Sequence, residues 1–321
     1  MSDVVAEGLH TYNESVPFND EGADVIVRSS EDKVDFRVHR AVLSMASPFF
    51  GTMFSLPQGD TAVLGGNTRD GLPVVEFAED KGTLAVLLRL CYPAHMVLDC
   101  IDALRLLPTI ELVLSVLVAA DKYQMDGVER LARSAFVDIR FLDSESPALR
   151  LFALAVKNGL HAEAKVWARH TLSAPVLGQY YIRELEYITA ATYHRLQTYH
   201  VLCGLAAHMV AQNLRWITNE ATVWFECSAC RGSTPVVLAG ERRKWPARWW
   251  ADFMVEASSA LKERPSGRTV SMDSDTVQMA MERASACPTC RTRVFREMRE
   301  FCGNFAVEVD KETALVDIEI Q

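Results

Sequence analysis

The stretch whose reading decides the fold is DVIV at residues 24–27, followed by FRVHRAVLSMASPFFGTMF at 36–54 and PVVEFAED at 73–80. Asp24 to Val27 is rich in β-branched residues, and after the polar turn Ser29-Ser30-Glu31-Asp32-Lys33 the apolar Phe36 and Val38 alternate with polar neighbours over Asp35 to His39. Two short strands joined by a tight loop follow. Val42, Leu43, Ala46, Phe49, Phe50, Met53 and Phe54 then recur at helical spacing, and Ser47-Pro48 separates them into two short helices, with serine as N-cap and proline in the first turn. Gln58 to Pro73 holds four glycines and reads as an exposed loop before a third strand, Val74 to Phe77. The core expected here includes Val25, Phe36, Leu43, Phe49, Val75 and Leu131.

Further along the chain, Lys81 to Tyr92 is an amphipathic helix closed by Pro93. Glu111 to Tyr123 and Asp126 to Ile139 are two more, the second with Val128, Leu131, Ala132, Ala135 and Phe136 on one stripe. A small sheet capped by helices, an α+β arrangement, is the expected result. From Ser146-Pro147 no strand pattern appears for about seventy residues, and Leu149, Phe152, Ala153 and Val156 form one helical face. Thr189 is placed to cap a long helix in which Leu196, Cys203 and Val210 repeat every seven residues, too short a repeat for a coiled coil and suited to a bundle. After Trp216 the character changes. Trp224, Phe225, Trp245, Trp249, Trp250 and Phe253 accompany two cysteine pairs, and Ala306 to Ile320 alternates loosely between apolar and acidic residues. The expected division is a loosely ordered 1–20, an α+β domain over 21–140, a helical region over 141–216 and a small cysteine-pair module over 217–321.

Composition supports a folded chain. Hydrophobic residues make up 49% and charged residues 23% of the 321, both ordinary globular values. The longest apolar run, Leu112 to Ala120, is interrupted by Ser115 and falls far short of the roughly 20 residues that cross a bilayer, so no membrane association is expected. Asp3 and Glu7 near the start, with no basic or long apolar segment, point to an intracellular location, nucleus or cytoplasm. Net charge is -9; the first eighty residues hold five basic and fourteen acidic side chains, whereas residues 231–300 hold thirteen basic and nine acidic. That local excess does not by itself identify a nucleic-acid binder.

The segments 24–27, 36–54 and 73–80, together with AADKYQM at 119–125, resemble the BTB/POZ domain in order and spacing. The resemblance covers about residues 20 to 140, and the remainder resembles, more weakly, the tail of BTB proteins numerous in fungi, with a BACK-like helical region. It implies a protein-interaction module whose partners are a cullin scaffold or other BTB chains. The long-form domains of the family begin with an extra helix that exchanges elements between dimer partners. Here Asn13, Pro17, Asn19, Asp20 and Gly22 leave no room for one, so a weak homodimer or a monomer is expected.

By the same resemblance, Asp24 and Arg40 match the charged positions of a partner-binding pocket, the competing reading being an ion pair between the first strand and the first helix. Met53, Phe54, Tyr92 and Tyr123 match helix ends near the surface offered to cullins, where aromatic and methionine anchors suit a hot spot; ordinary core packing is the alternative. His39 is expected as a buried imidazole bonded to backbone.

Cys227-Ser-Ala-Cys230 and Cys287-Pro-Thr-Cys290 each put two thiols on one turn, and two such knuckles complete a closed four-sulfur site for structural zinc. The long insert between them carries its own tryptophans and helical stretches and could fold back as a hairpin. Four buried thiols and a redox dithiol are the alternatives. Cys91, Cys100, Cys203 and Cys302 read as small core residues. The chain has no Gly-x-Ser-x-Gly elbow and no His-Glu-x-x-His, and its Gly65-Gly66 pair lacks a following helix and lysine, so it is not read as an enzyme. A substrate adaptor of a cullin-type ubiquitin ligase is the leading reading. The other is a transcriptional or chromatin regulator whose cysteine module contacts nucleic acid through Arg242-Arg243-Lys244-Trp245 and the basic run Arg291 to Arg299.

Overall fold

The computed structural model describes residues 11–12, 18, 20–56, 68–92, 103–142, 147–175 and 181–320, and the chain forms two compact units, 1–143 and 144–321. Gly65-Gly66, Cys100 and most of the expected 58–73 loop lie outside the described residues.

The first unit is built on a five-stranded sheet of β1 (Thr11–Tyr12), β2 (Val25–Ser29), β3 (Val34–Val38), β4 (Thr68–Arg69) and β5 (Leu72–Phe77), in the order β1-β3-β2-β5-β4. The β2–β3 hairpin is antiparallel, with Val27 opposite Phe36, and β5 returns parallel to β2, with Val27 opposite Val75. Central β2 is buried at all five positions. The described end of the expected loop is instead a hairpin. Asp70 and Gly71 adopt φ of 51° and 79°, the left-handed pair that turns β4 into β5, and the Asp-Gly dipeptide was its visible signal.

Helices α1 (Arg40–Ala46), α2 (Pro48–Ser55), α3 (Lys81–Cys91), α4 (Ile110–Lys122) and α5 (Asp126–Phe136) complete the unit. Ser47 caps α2 as its sequence suggests: its Oγ accepts from Phe50 N at 3.2 Å, with Pro48 in the first turn. Two expected core residues face outward. Phe49 is 42% exposed because its neighbour Phe50, about 100° away around the same helix, takes the inward position. Leu131 is 40% exposed because the buried stripe of α5 is carried by Val128, Ala132, Ala135 and Phe136. Val75 is half-buried.

An ion network not anticipated from sequence lies in this sheet. Asp35, fully buried, accepts from Arg28 Nε at 2.6 Å and Nη2 at 2.9 Å, and from Arg69 Nη1. Burial alone pushes its pKa upward, but the two guanidinium groups outweigh that and hold it below the ordinary carboxylate value.

The second unit is helical: α6 (Ala148–Lys157), α7 (His161–Thr171), α8 (Ala190–Gln212), a one-turn α9 (Val223–Glu226), α10 (Arg248–Glu263), α11 (Asp275–Ser285), a one-turn α12 (Pro288–Arg291) and α13 (Val294–Thr313). A minimal hairpin of β6 (Val236–Val237) and β7 (Arg243–Lys244) precedes α10. Thr189 Oγ1 caps α8 through Thr192 N, and Leu196, Cys203 and Val210 are buried along it. Gly204 allows α8 to approach α10 closely, since a Cβ there would lie 2.5 Å from Lys262 O. Ala207, Val210 and Leu214 share one core with Trp224, Trp250, Phe253, Phe301 and Phe305, so residues on both sides of 216 pack together. Within it Trp224 stacks on Trp250 and meets Phe301 edge-on at 5.3 Å, and Trp216 stacks on Phe305 at 5.2 Å. Trp245, grouped with these from sequence, is instead 40% exposed with the Arg231 guanidinium over its ring. The loosely alternating 306–320 segment is mostly α13; its last residues run back to α7, where Lys165 Nζ meets Asp317 Oδ1 at 2.7 Å. No helix among the described residues is long and apolar enough to cross a membrane.

Candidate metal centre and interaction surface

Backbone hydrogen bonds build both cysteine turns. The first follows α9: Cys227 N donates to Val223 O at 2.9 Å, and Cys230 O accepts from Arg248 N at 2.8 Å, tying the turn to the start of α10. The second is the entry to α12, where Cys287 stands at the N-cap, Pro288 occupies the first turn, and Cys287 O accepts from Arg291 N. The β6–β7 hairpin, α10 and α11 carry the chain out and back between them.

The four sulfurs all lie within 4.8 Å of one another. Sγ of Cys227 is 3.8 Å from that of Cys287, and Sγ of Cys230 is 3.9 Å from that of Cys290. These separations match the edge of about 3.8 Å that a tetrahedron with 2.3 Å metal–sulfur bonds requires, and they are far beyond a disulfide bond. Cys227 and Cys290 are buried; Cys230 and Cys287 are half-buried. A backbone hydrogen bond from Cys290, helped by the Cys230 side chain, pulls the Cys287 thiol down to about 6, and burial pushes Cys230 up to about 11. The indole Nε1 of buried Trp249 has no hydrogen-bond partner, and its side chain lies beside the Cys290 thiol, where a thiolate would accept. The donor set and spacing therefore fit a soft, four-coordinate metal ion. Cys302, Cys203 and Cys91 are not in this cluster: the first two are buried in core, and Cys91 Sγ lies 3.2 Å from Leu87 O.

On the first unit, Asp24 and Arg40 meet differently from an ion pair. Asp24 Oδ1 accepts from the backbone N of Arg40 at 2.7 Å, so the carboxylate serves the start of α1, and the Arg40 guanidinium lies over the Phe54 ring at 5.6 Å. Asp24 is exposed, and Arg40, Met53 and Phe54 are half-buried. Tyr92 and Tyr123 are only 5% and 7% exposed. The Tyr92 hydroxyl accepts from His39 N at 3.0 Å, and Tyr123 donates to Glu79 Oε2 at 2.7 Å while stacking on Phe50. Burial raises both phenol pKa values, that of Tyr123 to about 12. The expectation of a buried, backbone-bonded His39 imidazole is corrected: its ring is 26% exposed and Nε2 lies 3.0 Å from Asp20 Oδ2, a carboxylate delivered by the turn before β2.

Residues 17–139 match the family model of the BTB/POZ domain. The first unit is a BTB/POZ domain, a small curled sheet with helices, and as such a protein-protein interaction module. No curated protein matches the chain.

Proposed function

We propose that the chain is a substrate adaptor of a cullin-type ubiquitin ligase, in which the BTB/POZ domain binds the scaffold and the second unit selects the target. The observation that carries this reading is the family match over residues 17–139, joined to a second compact unit with its own core. The scaffold-binding surface is assigned to Asp24, Arg40, Met53 and Phe54; for Tyr92 and Tyr123, 5% and 7% exposed, the burial supports the alternative of core packing. Half-buried Phe54 with a guanidinium over its ring suits a hot spot. Capture of a cullin scaffold by the full chain from its native cell tests this. Phe54→Ala should weaken capture by about 2 kcal/mol, roughly thirtyfold, and a folded Phe54→Ala chain with unchanged affinity overturns the surface assignment.

Structural zinc at Cys227, Cys230, Cys287 and Cys290 is part of the same proposal. When bound, the ion would clamp together two turns far apart in sequence, with four thiolates leaving no open position for chemistry. The nucleic-acid reading has weaker support. Arg242 and Lys244 both pair with Glu220, at 2.8 and 3.1 Å, and Arg293 is engaged by Glu226 and Glu297, which leaves less positive charge for phosphates. Duplex binding that falls steeply with added salt is the outcome that favours it.

A further inference from the structure

Helix α8 is apolar on two opposite sides. Leu196, Cys203 and Val210 run along the buried side. On the other, Val201, Leu202, Leu205 and Met209 are 58%, 47%, 52% and 55% exposed. No Asp, Glu, Lys or Arg occurs from Leu196 to Leu214, although the solvent side of a surface helix ordinarily carries charge. A helix apolar all round is one that is covered all round. The apolar surface extends beyond α8, since Met209 also lines a groove with Val237 of β6, itself 40% exposed.

The order of residues along this side selects what covers it. Thr198, Leu202, Leu205, Met209 and Gln212 follow one another at alternating steps of four and three, the spacing of the seam between two packed helices. Thr198 and Gln212 are exposed and polar, so the seam reads polar, apolar, apolar, apolar, polar from either end, with Leu205 at its centre. A twofold axis passing Leu205 sets α8 antiparallel to its own copy: Leu205 meets Leu205, Val201 and Leu202 meet Met209, and Thr198 meets Gln212. The small Ala206 beside the seam leaves room for the two helices to approach. With no charge in the seam, a copy brings no like charges together, whereas an acidic or basic target segment would find no countercharge there.

We propose that this face of α8 is the contact between two copies of the chain, paired antiparallel about a twofold axis at Leu205. The inference goes beyond the adaptor reading and does not depend on it; it places self-association in the second unit and makes no use of the BTB/POZ domain. From Thr198 to Gln212 the seam is about 21 Å long. Half-exposed side chains over that length bury less than the roughly 800 Å² per partner of a standard interface, so the dimer is weak, with Kd on the order of 10 to 100 μM.

Sedimentation velocity of the full chain from about 5 to 300 μM tests this, and the sedimentation coefficient should rise from monomer toward dimer across that range. Leu205 is exposed, so Leu205→Glu and Leu205→Lys should fold, which thermal melting checks. Each variant alone should associate at least about tenfold more weakly than wild type, because like charges meet on the axis. Mixed in equal amounts, the two should recover at least about fivefold over either alone, because glutamate then faces lysine. A wild-type chain that stays monomeric throughout overturns the proposal. So does a folded Leu205→Glu chain that dimerises as tightly as wild type, which would place the contact on another surface. Failure of the mixture to recover overturns the twofold pairing, the outcome expected if the face instead receives a different protein.

Discussion

Glu297 Oε2 accepts a hydrogen bond from the backbone N of Val223 at 2.6 Å, across 74 residues of chain. Glu297 is 8% exposed on α13, just after the second cysteine pair, and Val223 opens the turn that ends in Cys227. Its other oxygen holds Arg293, which also reaches Glu226 Oε2 and Ala221 O. One carboxylate thus fastens the two cysteine-bearing segments beside the place where their sulfurs converge.

Removing that carboxylate should loosen both segments. Glu297→Ala leaves a buried backbone N–H unpaired, at a cost of about 1 to 3 kcal/mol, whereas Glu297→Gln keeps an acceptor and should lose less. The alanine chain should melt earlier and yield its metal to a chelator sooner. Equal melting temperatures for wild type and Glu297→Ala would falsify the structural role.

The zinc assignment predicts a larger effect. Binding by four thiolates can contribute on the order of 10 kcal/mol to folding. Cys287→Ser should therefore release the ion and abolish the cooperative transition of the second unit while that of the BTB/POZ domain persists, and a strong chelator should reproduce the mutation. Metal analysis of untagged protein should find about one zinc per chain. A folded, fully reduced sample with well under that amount rules the site out.

Gly204→Ala should destabilise the second unit without touching the cysteine cluster. The new methyl would lie 2.5 Å from Lys262 O, so α8 and α10 must move apart, an overpacking cost of about 1 to 3 kcal/mol. Thermal unfolding measures it, and a variant as stable as wild type would show that the two helices separate freely.

His200 makes stability depend on pH. Thr171 Oγ1 donates to Ala168 O and accepts from His200 Nε2 at 2.8 Å, a bond that either protonation state can donate, and burial alone lowers the imidazole pKa to about 4 and keeps the ring neutral. The unfolded chain takes up this proton near pH 6.5, so the contribution is whole above that value and is lost as pH falls toward 4. Between pH 7.5 and 5 the loss should be about 2 kcal/mol relative to a His200→Gln chain measured in parallel. Identical pH profiles for the two chains would exclude His200 as the source.

Much of the local structure was legible. Ser47 before Pro48 and Thr189 before a heptad-spaced stripe announced helix starts, and both hydroxyls accept from the amides that such caps serve. The paired Cys-x-x-Cys turns named the sulfurs that converge. The Asp70-Gly71 hairpin carried its signal too, obscured by the glycine-rich stretch around it. Phe49 and Leu131 misled because helical spacing identifies an apolar side but not where its edge falls once a neighbour such as Phe50 fills the core.

Sequence alone determined the helices and three of the five strands of the BTB/POZ domain, β2, β3 and β5, together with the caps and the two cysteine turns, because each depends on residues within a few positions of one another. Only the tertiary structure decided that Asp35 is shared by Arg28 and Arg69, that His39 turns to Asp20, that Glu297 holds Val223, and that the Thr222 hydroxyl is buried without a partner. These contacts join distant segments. Their formation follows from which helix and strand faces the core packing brings together, and no local periodicity encodes that choice.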